Sequence, residues 1–248
     1  MRIAIVAGEA SGDLLGAALI RALRARDPSL EFYGIAGPRM IAEGARTLFP
    51  LEKLAVRGYV EALKHLPEIF GIRRKLGARL LGDRPDLFIG VDAPDFNLGL
   101  EGRLRSSGIR TVHYVSPSLW AWRPERIHGI RRAVDHMLVL FPFEEAIYRK
   151  AGVPVTYVGH PLADALPLKP DREDARVQLR LPSTAPVVAL LPGSRASELE
   201  LHADLVIRTA RQLAAARSGM RFFVPLSTRE TRAYFRSEER RVGKECRL

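Results

Sequence analysis

Two carboxylates, Asp92 and Asp95, follow the apolar run Leu87-Phe88-Ile89-Gly90-Val91, with Ala93-Pro94 between them and Phe96-Asn97 after them. Such a run reads as a strand buried on both faces of a parallel sheet, and strands of this kind deliver their last residues to the carboxyl edge, where ligands bind. A carboxylate held there by a Pro-stiffened turn can take a proton from a bound hydroxyl and make it a nucleophile. The competing role is capping of a helix expected from Leu98 to Ser107. Local sequence favours the cap for Asp95 and leaves both roles open for Asp92.

Val6-Ala7-Gly8-Glu9-Ala10-Ser11-Gly12-Asp13 reads as strand, turn and helix start. Gly8 and Gly12 permit close backbone approach, Ser11 or Asp13 can cap, and a helix amino end suits an anionic or hydroxyl-rich ligand. The three-glycine dinucleotide spacing is absent. Pro192-Gly193-Ser194-Arg195 repeats the logic and adds a guanidinium, a combination suited to a diphosphate. In both places an ordinary tight turn with a cap is an equal alternative. Glu198 and Glu200 read as solvating or capping groups.

Tyr114-Val115-Ser116-Pro117-Ser118-Leu119-Trp120-Ala121-Trp122-Arg123 follows another expected strand and holds both tryptophans of the chain. Aromatic faces beside hydroxyls and a guanidinium can hold a sugar or an acyl-phosphate head group. Packing between domains is the alternative and is favoured for Trp120. His160, in Val158-Gly159-His160-Pro161, reads as a hinge or structural histidine. Val60, Leu63, Ile69, Phe70, Ile72, Leu76, Leu80 and Leu81 interleave with Lys64, Arg73, Arg74, Lys75 and Arg79. Packing of a surface helix on its own domain is favoured over an apolar face laid on an anionic membrane.

The elements that must position these groups follow from periodicity. Strands are expected at Ile3 to Ala7, Glu31 to Ile35, Leu87 to Val91, Thr111 to Val115, Met137 to Leu140 and Val155 to Val158, alternating with helical stripes such as Leu15, Leu19, Ala22 and Leu23. That alternation predicts an α/β fold with a mostly parallel sheet, a Rossmann-like domain over residues 1–166. Pro161, Pro167, Pro170, Pro182 and Pro186 punctuate a linker, residues 167–186, with one short helix. A second Rossmann-like domain starts at Val187, with a strand to Leu191, a helix to about Arg217 and a strand from Arg221 to Val224. Residues 187–234 hold too few strands to bury a sheet face unaided. Residues 235–248 are highly charged and are expected as a solvated tail.

The chain has 248 residues, 47% of them hydrophobic, and a net charge of +11. Acidic partners such as nucleotides, phosphorylated lipids, anionic membrane or nucleic acid are thereby electrostatically favoured, and charge does not choose among them. The single cysteine, Cys246, excludes an intrachain disulfide framework, and no Cys/His spacing suits zinc. The start is too short and too acidic for a signal peptide, and no apolar run reaches transmembrane length, so any membrane contact is expected to be peripheral.

Taken with Ala36-Gly37-Pro38-Arg39-Met40, these motifs in their order and spacing resemble the lipid-A-disaccharide synthase family from Met1 to about Tyr234. The resemblance implies a GT-B glycosyltransferase acting with inversion, which joins UDP-2,3-diacylglucosamine to 2,3-diacylglucosamine 1-phosphate through a β-1,6 bond and releases UDP. Asp92 matches the family's proposed catalytic base. Gly8, Glu9, Ser11, Gly12, Asn97, Ser116, Trp122, Arg123, Gly193, Ser194 and Arg195 match substrate-binding stretches, with Arg195 on the departing diphosphate. No metal or other cofactor is implied. The family is cytoplasmic and peripheral to the inner membrane of Gram-negative bacteria, and it forms homodimers partly through a region that members carry beyond this chain. Two other readings accompany it: another UDP-sugar enzyme of GT-B type, such as an epimerase, and an inactive fragment that keeps lipid or membrane binding. Nonspecific nucleic-acid binding has no recognisable module behind it.

Overall fold

A computed structural model of the chain describes residues 1–54, 59–194, 196–226 and 229–243. It divides into two compact units, Met1–Leu166 and Pro167–Leu248. The first unit runs β1 (Arg2–Ala7), α1 (Ala10–Arg26), β2 (Glu31–Ile35), α2 (Pro38–Ala42), β3 (Arg46–Thr47), α3 (Tyr59–Asp83), β4 (Leu87–Val91) and α4 (Pro94–Ser106). It continues with β5 (Thr111–Tyr114), α5 (Ile127–Ala133), β6 (His136–Val139), α6 (Glu144–Lys150), β7 (Val155–Tyr157) and α7 (Pro161–Ala165).

Its seven strands are parallel and lie in the order β3-β2-β1-β4-β5-β6-β7. The fold class is α/β, with a Rossmann-like parallel sheet. From β1 the chain builds outward through β2 and β3, then returns to place β4 on the other side of β1. The connections therefore diverge between β1 and β4, and in open α/β sheets that switch point opens a crevice beyond the carboxyl ends of the strands. Register Ala7↔Val91 brings the turns after the two strands level with each other. The central strands are buried along almost their whole length, with Ile5, Val6, Phe88 and Val91 at 0% exposure, as a sheet covered on both faces requires.

Sequence periodicity located the longer strands to within a residue or two, and it missed β3, whose two residues carry no apolar pattern. The stripe of α1 is rotated from the expected one. Leu15 is buried, but Ala22 is exposed, and the buried face runs through Gly12, Gly16 and Ile20, where small residues let the helix approach the sheet. Helix α3 packs its second half through Ile72, Leu76 and Leu80 into the main core, while Leu66 and Phe70 remain exposed. Val60, Leu63 and Lys64 have side chains outside the described residues.

Helix α4 begins at Pro94, four residues before the expected start, because Pro at the first position needs no amide partner and its fixed φ is helical. Phe96, Leu100 and Leu104 form its buried apolar stripe, and Arg103 and Arg105 in its last turn suit the helix dipole. Gly108, at φ 80°, lets the chain leave the helix.

The second unit contains α8 (Arg172–Gln178), β8 (Val187–Ala189), α9 (Ala196–Ala216), β9 (Arg221–Phe223) and α10 (Arg229–Gly243), with β8 and β9 paired in parallel. The solvated tail expected from residue 235 is corrected here through Gly243. Those residues continue α10, and Phe235 and Val242 are buried with Leu199, Ala203 and Ile207 of α9. Two apolar residues seven apart, with Thr231 four before them, make a stripe too narrow to stand out in a charged segment. Residues 244–248, Cys246 among them, lie outside the described residues.

The clearance at Gly90 sets how closely α4 approaches β4. A Cβ there would stand 2.1 Å from Glu101 Oε1 and 2.9 Å from Asn97 Cβ. Gly90→Ala is expected to lower stability by about 1–3 kcal/mol, measured as an earlier urea midpoint at unchanged slope.

Candidate functional site

Asp92 sits immediately past β4 at the switch point, half-buried, with φ 53°. Ala93 follows at φ 45°, so two consecutive non-glycine residues occupy the left-handed region. Each such residue costs free energy and persists only where its surroundings determine it. The Asp92 N–H donates to the Tyr114 carbonyl at 2.8 Å, and the Asn97 side-chain amide donates to the Asp92 carbonyl at 2.8 Å. The same amide lies 3.4 Å from the Val6 carbonyl and 3.5 Å from that of Val91. Asn97 therefore ties α4 to the ends of both switch-point strands.

Neither carboxylate caps α4, whose N-cap is Ala93 with no side-chain cap bond. Asp95 lies in the first turn, where the helix dipole favours it, and it pairs with Arg126. The Asp92 carboxyl is raised from its ordinary value chiefly by burial. The Ala93 N–H that it accepts lowers it, Glu9 raises it and His113 lowers it. Burial and the like charge on Glu9 make Asp92 a better proton acceptor than an aspartate in water.

The turn after β1 contributes space and charge. Gly8 is buried against Ala93, whose Cβ would lie 2.3 Å from a Cβ at position 8. Gly12 is buried against the Val91 carbonyl, 3.3 Å from where a Cβ would stand. Both glycines serve close packing of this turn against the Asp92 loop. Ser11 is exposed on the first turn of α1, and Glu9 precedes that helix without a side-chain cap bond. Asp13 caps a neighbouring helix: its carboxylate accepts the Arg39 and Met40 N–H groups of α2 at 3.0 Å each.

Asn97 is fully buried with its amide on backbone carbonyls, so it holds the loop. The Ser116 hydroxyl lies 2.8 Å from the Tyr148 hydroxyl and 2.9 Å from the Pro117 carbonyl, a contact set that fixes the loop after β5. His160 accepts the Leu162 N–H at 3.1 Å and caps α7, the structural role read for it. Trp122 and Arg123 remain exposed, with the guanidinium 4.9 Å from the ring centroid. Trp120, also exposed, meets Phe143 edge-on at 5.6 Å.

In the second unit, Gly193 adopts φ 127°, and the Ser194 N–H donates to Glu198 Oε2 at 2.8 Å. The carboxylate of Glu198 thus sits at the turn before α9 on a donor expected for phosphate. Arg195 lies outside the described residues. Glu101 and His113, both fully buried beneath the Asp92 loop, were not singled out from sequence. A Glu on the polar edge of α4 and a His inside an apolar strand were the signals available.

A family model described as "Lipid-A-disaccharide synthetase" matches residues 3–248. The chain belongs to the lipid-A-disaccharide synthase family. Family members from Methylobacillus flagellatus and Aromatoleum aromaticum are each 63% identical, over 233 and 234 residues. Those alignments take in 94% of this chain and 62% and 60% of the relatives, so the chain spans about three-fifths of their length. Among solved structures, UDP-GlcNAc 2-epimerase from Neisseria meningitidis bound to UDP-GlcNAc aligns at a TM-score of 0.64 with 12% identity, covering 100% of this chain and 71% of that one. An S. aureus MnaA-UDP co-structure aligns at 0.61 with 11% identity, covering 97% and 66%. At these identities the structural likeness concerns the fold alone.

The raised Asp92 carboxyl has a consequence for stability. A carboxyl raised on folding contributes stability below its unfolded value, near 3.8, and loses it as pH rises through the folded value. Asp92→Asn is therefore expected to raise Tm at pH 7, by about 2–4 °C for each kcal/mol removed. Thermal scans should show the gain shrinking as pH falls through the raised folded value and absent below the unfolded value near 3.8.

Proposed function

We propose that this chain carries the base-bearing part of an inverting glycosyltransferase that joins UDP-2,3-diacylglucosamine to 2,3-diacylglucosamine 1-phosphate. The observation that carries the reading is the placement of Asp92 in a family member, on a strained loop at the switch point, half-buried and with its carboxyl raised. In the proposed step, Asp92 takes the proton of the acceptor's 6-hydroxyl. The freed oxygen attacks the anomeric carbon from the face opposite the nucleotide, the carbon–oxygen bond to the diphosphate breaks, and UDP leaves. Glu9, Trp122 and Arg123 are assigned to substrate. Gly193, Ser194 and Arg195 are assigned to the donor diphosphate, where backbone N–H groups and a guanidinium stabilise the developing charge. The residues assigned to the diphosphate supply positive charge without a metal.

The epimerase alternative is not favoured, because the likeness to epimerases is structural at 12% identity whereas that to the disaccharide synthases is 63%. In a full-length protein carrying these residues, Asp92→Asn is expected to lower disaccharide formation by about 10²- to 10⁴-fold while UDP binding by calorimetry is retained. Turnover at the wild-type rate would remove Asp92 from the mechanism.

The reading extends to a peripheral location at an anionic membrane. Among the described residues no helix is long and apolar enough to cross a membrane. Support for surface attachment comes from α3 and α4, where Phe70, Arg73, Arg74, Gly99, Leu100 and Arg103 line a cleft of about 260 Å3. Phe70 is half exposed, with the Arg73 guanidinium 4.8 Å from its ring centroid. Guanidinium groups beside exposed apolar surface suit lipid phosphates at an interface. At about 1 kcal/mol per basic residue, replacing Arg73, Arg74 and Arg103 together by Ala is expected to weaken binding to phosphatidylglycerol vesicles by up to about 100-fold. Co-sedimentation at low and high salt is the check, and unchanged binding would remove this cleft from the membrane surface.

A further inference from the structure

Beneath the Asp92 loop, Glu101 of α4 and His113 of β5 meet at 2.7 Å through His113 Nδ1, each at 0% side-chain exposure. The room for this contact comes from Gly90, which is paired in register with His113 and whose missing Cβ leaves space for Glu101 Oε1. Gly90 is two residues before Asp92, and the carbonyl of the next residue of β5, Tyr114, accepts the Asp92 N–H. The buried pair and the candidate base therefore belong to one rigid piece of structure.

The pair is a poor device for stability. His113 Nε2, Glu101 Oε2 and Asn97 Oδ1 are all buried without a hydrogen-bond partner. Unsatisfied buried polar atoms are costly, and well-packed apolar residues in their place are often neutral or stabilising. A polar layer of this kind, set behind a half-buried carboxylate, has an electrostatic use instead.

We propose that His113, anchored by Glu101, is a positioning residue for Asp92: an internal counter-charge that sets how readily the Asp92 carboxylate takes a proton. Glu101 anchors the imidazole through Nδ1 and is the buried anion that a positive charge in an apolar strand requires. The charge then acts on Asp92 from below, against Glu9, which acts from the neighbouring turn with the opposite sign. Of the other groups near the loop, Asp95 is paired with Arg126, and Arg73 of α3 bonds the Asp95 carbonyl at 3.2 Å. The Tyr114 phenol, pushed up to about 12 by burial, stays neutral through the working range. His113 and Glu9 are thus the opposed side-chain charges on Asp92, and the raised carboxyl is their balance with burial and the Ala93 N–H.

The inference rests on the reading of Asp92 as the base only for its catalytic consequence, and a titration separates the two. Carboxyl carbon-13 NMR of the chain reports Asp92 directly, with its resonance identified by its loss in Asp92→Asn. His113→Asn and Glu101→Gln are each expected to move the Asp92 midpoint to higher pH, and Glu9→Gln to lower pH. Glu101→Gln keeps the shape and a hydrogen-bonding group, so it tests the inference if His113→Asn does not fold. An Asp92 midpoint unmoved in folded Glu101→Gln protein overturns the proposal. In a full-length protein, the acidic limb of kcat/KM should move with the same signs. On that limb kcat/KM falls about tenfold for each whole pH unit by which the midpoint rises. A moved NMR midpoint with an unmoved acidic limb would uphold the counter-charge and overturn Asp92 as the base.

Discussion

The amide of Asn97 spans the carboxyl ends of β1 and β4, and most of the site geometry depends on that one side chain being buried where it is. It donates to the Asp92 carbonyl and approaches those of Val6 and Val91. Gly8 lets the turn after β1 come against Ala93, and Gly90 lets α4 come down onto β4. With the helix and both strand ends fixed, Asp92 and Ala93 can hold left-handed backbone angles that they would not keep alone. Val115, at φ 85°, marks the same kind of constraint one strand further along, its N–H bonded to the Leu138 carbonyl.

Charge is distributed unevenly over this frame. The chain carries +11 overall, yet the switch point gathers Glu9 and Asp92 above a buried Glu101 and His113. Acidic groups crowded at one sheet edge hold a carboxylate poised to accept a proton, whereas the arginines of α3 and α4 lie on an outer face. On the proposed function, attraction of an anionic surface and activation of a hydroxyl fall to separate parts of the same unit. The second unit follows a related rule in miniature, with the Glu198 carboxylate on the Ser194 N–H at the turn before α9.

Much of the architecture was legible because it rests on local pattern. Unbroken apolar runs at Ile3 to Ala7 and Leu87 to Val91 read as strands covered on both faces, and the alternation with helical stripes points to a parallel sheet. Failures occurred where tertiary packing overrode pattern. Ala22 fell off the buried face of α1 because glycines at 12 and 16, not apolar bulk, define the close approach. Phe235 and Val242 found a partner in α9, which a charged segment does not advertise. Asp13 caps α2 rather than its own helix, through bonds that reach 26 and 27 residues along the chain.

The sequence by itself determined the family, the α/β class and the position of Asp92 at a strand's carboxyl end, since motif order and hydrophobic period are properties of the linear chain. Tertiary structure alone decided what each polar residue does there. Asn97 and Ser116 look like ligand-binding groups in a motif, and their hydrogen bonds commit them to the backbone and to Tyr148. Glu101 and His113 look like nothing in particular until β5 and α4 bring them to 2.7 Å in a fully buried layer. The physical reason is range: periodicity reports which face is buried, but the electrostatics of a buried group depend on partners that folding brings from distant positions.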